Sequence, residues 1–200
     1  NIAQLGDWLT RARDGMRQAG LQASDAPITI KPGHAGSDGA IDYQTGEMWL
    51  ARKWINAIDD SLKAGKVLTQ DQMDAFEVLV NAFGHHLGSA LQPTASDQGG
   101  TLLAQVINDL WARHKTPNFL GMFGMRYDRS LAARLVEYHP TAYQLYVERL
   151  RSILRAVGIS EAEEIDLITR LNLSVDPVAL SDEMWRVIQA RKPGLRLPRS

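Results

Sequence analysis

Chemistry in this chain falls to histidines, carboxylates and hydroxyls, because the 200 residues include five histidines and no cysteine. The missing cysteines remove thiol nucleophiles, disulfides and thiolate metal ligands together. Two of the histidines are adjacent, in the run His85-His86-Leu87-Gly88-Ser89-Ala90-Leu91-Gln92. Successive positions on a helix point about 100° apart, so His85 and His86 do not share one ion by helical geometry alone. A metal site using either would draw ligands from His34, His114, His139 or Glu137. Asn81, His85 and Ser89 recur every four residues and form one polar line along such a helix. That line either hydrogen-bonds a neighbouring sheet or faces a cleft.

Other chemical signals are weaker. The stretch Lys31–Gly39 is glycine-rich but lacks the spacing of a phosphate-binding loop, so it reads as a plain loop. His34, Ser37 and Asp38 are sequence neighbours there, which does not make a triad. Glu161, Glu163 and Glu164 fall in a helix's first turn, where carboxylates complement the dipole. Trp54 and Trp111 lie on apolar stripes and read as core.

The elements that must position these residues follow from periodicity and breakers. Asn1–Gly20 has helical spacing of Ile2, Leu5, Leu9, Ala12 and Met16. Strand signals are confined to residues 26–51: the β-branched run Ala26–Lys31, then a hairpin of Ala40–Gln44 and Glu47–Leu50 around Thr45-Gly46. The rest is helical. A helix forms around Trp54, Ile55, Ile58 and Leu62. Thr69 caps a long one reaching about Leu91, burying Met73, Phe76, Val80, Phe83 and Leu87. The next carries Leu103 to Trp111 and stops before Pro117, with Asn118–Gly124 a packed loop. Ser130–Tyr138 is helical, and Pro140 opens the following helix, which ends at Gly158. Ser160 with Glu163 forms a capping box for another, and Ser181 caps the last. The class is α+β, mainly helical, with a small N-terminal β-hairpin or sheet on the long helix.

The octet at 85–92 resembles the zinc helix of zincin metallopeptidases, commonly HELGHALQ, at six of eight positions. The hairpin-like Gly39–Ala51 before it is similar to the edge-strand element of those domains. Ala133–Tyr138 (ARLVEY) is similar to the later EGLxEY pattern, with Ala133 at the ligand position. The resemblance covers residues 26–157 and implies a metallopeptidase scaffold. Family chemistry needs His at i and i+4 on one metal and Glu at i+1 as base. Here His85 stands at the first ligand, His86 at the base and Ser89 at the second ligand. A catalytic zinc takes three protein ligands, so the resemblance implies a degenerate domain with no cofactor, zinc entering only through a rebuilt site on His85 and His86.

The expected function is therefore a catalytically inactive, zincin-like binding or structural module of a larger protein. Its cleft would be lined by Tyr43, Asn81, His85, His86, Ser89 and Glu137. The edge strand near Asp42–Glu47 would take a protein or peptide segment by β-augmentation. An unrelated helical interaction domain and a metal-dependent hydrolase with a non-standard histidine site are the alternatives. Residues 1–157 form the zincin-like domain, 158–190 a helical extension packed on it and 191–200 a basic tail. A net charge of −1, from 22 basic and 23 acidic residues, gives no case for nucleic acid, and no apolar run is long enough to span a membrane.

Overall fold

The computed structural model describes residues 2–20, 27–33, 39–41, 47–65, 67–88 and 98–195. The order is α1 (Ile2–Gln18), β1 (Thr29–Pro32), β2 (Gly39–Ile41), β3 (Glu47–Leu50), α2 (Arg52–Ala64), α3 (Gln70–Gly88), α4 (Gln98–Met122), α5 (Arg129–Glu137), α6 (Gln144–Ala156), α7 (Glu161–Ser174) and α8 (Leu180–Arg191). A single 3₁₀ turn, Pro177–Ala179, leads into α8. The chain is α+β and mainly helical, as its periodicity indicates.

The sheet has strand order β1-β3-β2. β3 runs parallel to β1, with Thr29 opposite Glu47 and Lys31 opposite Trp49, and antiparallel to β2, with Ala40 opposite Trp49. The Lys31 ammonium pairs with the Glu47 carboxylate across the parallel pair. The hairpin partners are thus as expected, while Tyr43 and the Thr45-Gly46 turn lie outside the described residues. The strand from the β-branched run sits three residues later than expected at its start, beginning at Thr29.

Helix α3 is the centre of the molecule. Thr69 caps it, its Oγ1 accepting from the Gln72 N–H at 3.4 Å while Gln72 Oε1 accepts from the Thr69 N–H at 3.0 Å. Met73, Phe76, Val80, Phe83 and Leu87 are all fully buried, as the spacing predicts. They belong to one apolar cluster that runs from Leu5 to Met184, so α7 and α8 pack on the same core as α3.

Helix α4 corrects the reading at Pro117, which lies inside it rather than after it. Proline removes a donor and crowds the preceding turn, at a cost of about 3 kcal/mol. Packing beyond the proline offsets that cost. Beyond the proline, Phe119 and Leu120 are buried, Phe119 edge-on to Phe83 with centroids 5.4 Å apart. The stretch expected as a packed loop is therefore helical to Met122.

Two further boundaries move. Pro140 lies in the turn before α6, which starts at Gln144, and Ser181 lies inside the first turn of α8. The Ser160–Glu163 capping box is present, with both reciprocal bonds. His114 and Arg151 converge on one oxygen of buried Glu164, at 2.8 and 2.9 Å, and so join α4, α6 and α7.

Candidate functional site

Glu77, Asn81 and His85 recur every four residues on α3 and line one side of a cleft of about 280 Å³. Gln105 and Asp109, again four apart, come from α4, and the turn His139–Tyr143 closes the far side. Gly39 of β2 and Trp54 of α2 complete the rim. The polar line read from the sequence thus faces a cleft, at least at Asn81 and His85. Ser89 lies outside the described residues.

The floor is a charged network. Asp109 and Arg113 are fully buried, with Arg113 Nε donating to Asp109 Oδ1 at 2.8 Å and Nη2 to Oδ2 at 3.2 Å. Thr141 Oγ1 donates to the same Oδ2 at 2.7 Å, so both carboxylate oxygens are taken. Arg113 also donates to Gln144 Oε1 at 2.8 Å and to the His139 carbonyl at 3.4 Å. The His139 N–H meets Gln144 Oε1 at 3.0 Å. The guanidinium is the peg that fixes the turn between α5 and α6, and with it the position of the His139 ring.

That ring lies between two carboxylates on α3. Its Nε2 is 2.7 Å from Glu77 Oε2 and its Nδ1 is 3.5 Å from Asp74 Oδ1. Burial opposes a charged imidazole here, but the Glu77 and Asp74 carboxylates outweigh it and raise His139 to about 10. Burial pushes Glu77 up from its ordinary value, against the pull of His139. His85, half-buried in the cleft wall, is lowered to about 4 by desolvation, which exceeds the opposing effects of its hydrogen bond to Gln105 and of Asp109. His85 is therefore neutral near pH 7 and His139 cationic.

Two expected cleft residues are elsewhere. His86 is fully buried on a different face of α3, where desolvation and the Arg13 guanidinium of α1 lower it to about 4. Glu137 is exposed at the end of α5 and pairs with Arg151 at 2.8 Å and Arg155 at 3.2 Å. Ala133, the position matched to a third ligand, is exposed on α5. Tyr43 and His34 fall outside the described residues.

No family model, curated protein or solved structure matches the chain. The chemistry must be read from the site alone.

Asp74, Glu77, Gln105, Asp109, Thr141 and Tyr143 were not singled out in the sequence. Two signals for them were there. The Asn81/His85 line extends one turn back to Glu77, and Asp109 with Arg113 makes an i, i+4 acid–base pair. Trp54, read as core, is half-buried at the rim. Gly84 faces α4. A Cβ there would lie 2.1 Å from Asn108 Oδ1 and 2.7 Å from Trp111.

The cleft can hold a ligand by hydrogen bonds and charge. Among the described residues, no three His, Asp or Glu side chains are grouped to hold a metal ion. The Asp109 carboxylate is already saturated by Arg113 and Thr141.

Proposed function

We propose that the chain is a zincin-like module that binds a polypeptide segment in this cleft and does not hydrolyse it. The observation that carries the reading is the identity of the α3 residues that face the cleft. Among the described residues, the pair at i and i+4 is Asn81 and His85, and Ala82 stands at i+1 where a motif's base would be. An amide and a single imidazole are a poor zinc set, and alanine cannot take a proton from water. What remains is a concave surface beside a short edge strand, β2, with polar groups from α3 and α4 spaced for recognition.

The test has two arms. Protein incubated with zinc and dialysed is analysed by mass spectrometry and assayed on casein. The expected result is substoichiometric zinc and no cleavage. A random dodecapeptide display library is then selected on the native chain and on Ala142→Trp, which fills the cleft from an exposed rim position. Enrichment on the native chain and its loss on the variant supports the reading. Stoichiometric zinc with cleavage overturns it, as does a selection that enriches nothing or enriches equally on both.

A second reading, a helical interaction domain acting through another face, is favoured by the exposed apolar side chains Leu145, Tyr146 and Ile153 on α6. Enrichment that survives Ala142→Trp but is lost in Tyr146→Asp would select it.

A further inference from the structure

One group on the cleft floor has half of its hydrogen bonding unmet. Glu77 is 1% exposed and lines the cleft. Its Oε2 is occupied by His139, whereas its Oε1 accepts no hydrogen bond from any described residue. A buried carboxylate oxygen without a donor forfeits its hydration with nothing in return. The charge count points the same way. Asp74, Glu77 and Asp109 face two cations, His139 and Arg113, and Asp109 is saturated. The surplus negative charge therefore rests on Glu77 and Asp74, and Asp74 Oδ1 already accepts from Gln70 Nε2 at 2.7 Å.

The missing partner is thus a donor, and a positively charged one. A carboxylate or phosphate would meet like charge. A guanidinium is matched by two parallel carboxylate oxygens, and Glu77 has only one to give. A compact ammonium, which needs single acceptors rather than a fork, fits. Val78 and Ala82 on the same face of α3 offer apolar surface to a hydrocarbon stem.

We propose that the cleft binds a primary ammonium group, with Glu77 Oε1 as its acceptor and its hydrocarbon stem against Val78 and Ala82. This rests on the cleft being a binding site and names what it recognises in a polypeptide: a lysine side chain or a free amino terminus.

The test follows the Trp54 indole N–H by NMR while n-butylamine or n-butanol is added to the intact chain. The amine should shift the rim signal saturably and the isosteric alcohol should not. Glu77→Gln should weaken amine binding roughly tenfold or more, the range for a hydrogen bond to a charged group. Should that variant fail to fold, Asn81→Lys places the chain's own ammonium one helical turn from Glu77 and should abolish amine binding. Nα-acetyl-lysine methylamide and leucine amide then separate the side-chain and amino-terminal sources. Equal binding of the alcohol overturns the proposal. So does undiminished amine binding in a folded variant, or no shift at the solubility limit. Peptide enrichment without amine binding would sink this inference and spare the binding reading; failure of both experiments would sink both.

Discussion

Replacing Gly84 with alanine tests the packing on which the cleft depends. Alanine is the better helix former by about 1 kcal/mol, so α3 viewed in isolation gains from Gly84→Ala. The surroundings reverse that sign. The new methyl would lie 2.1 Å from Asn108 Oδ1 and within 2.8 Å of two Trp111 ring carbons, all in the α3–α4 interface. Both neighbours are about 1% exposed. Overpacking of this kind costs about 1–3 kcal/mol. Displacing Asn108 also disturbs its bond to the Asn81 carbonyl at 2.9 Å and the bond it accepts from Asn172 at 3.0 Å, at about 1 kcal/mol each. After the helix-propensity gain is subtracted, the net loss is about 2–4 kcal/mol, or about 4–16 °C in Tm for a chain of this size. Urea denaturation of the native and variant chains measures it. Gly15→Ala is the internal control, because a Cβ there meets nothing within 4 Å in the last turn of α1. It should stabilise by about 0.5–1 kcal/mol. A Gly84→Ala variant as stable as the native chain would refute the close approach of α3 to α4.

Two other outcomes follow from the buried charges. Arg113→Met strands the Asp109 carboxylate in the core and should cost about 3–5 kcal/mol by denaturant unfolding, with much of the loss recovered when Asp109→Leu is added. The pH profile has two limbs. His139, raised from 6.5 to about 10, contributes stability in full below pH 6.5 and loses it as pH rises through 10, so unfolding free energy falls across that window and His139→Gln flattens the fall. His86, lowered from 6.5 to about 4, acts in the opposite sense. Its neutral form is favoured above pH 6.5, stability drops as pH falls through 4, and His86→Leu shallows that acid limb.

How much of this was legible in the sequence depended on how far apart the partners lie. The buried stripe from Met73 to Leu87 and the Ser160–Glu163 capping box are local patterns, each written within a few turns, and both are present. The Asn81/His85 line was also local, but its separation from the stripe left both a sheet and a cleft open to it, and the packing of α4 and the turn before α6 decides for the cleft. The site's other half is not local. His139 meets Glu77 only because Arg113 and Gln144 fix the turn between α5 and α6, and no periodicity carries that information. Pro117 misled for a related reason: the burial of Phe119 against Phe83 outweighs a strong local breaker. Of the octet at 85–92, the described residues place His85 at the cleft and His86 on another face of α3, a distinction that similarity to a motif does not carry.

The strand order β1-β3-β2 also sets a constraint in time. The two earlier strands make no ladder with each other; both wait for Glu47–Leu50 to arrive between them. A growing chain that has emerged only as far as β2 therefore carries two separate lengths of unpaired backbone, each able to pair with a neighbouring chain. The last strand made completes the sheet and pairs the inner edge of each at once. Synthesis that paused just before Glu47 would prolong the interval in which the chain is most prone to aggregate, and the speed of translation there would affect yield independently of the stability of the finished fold.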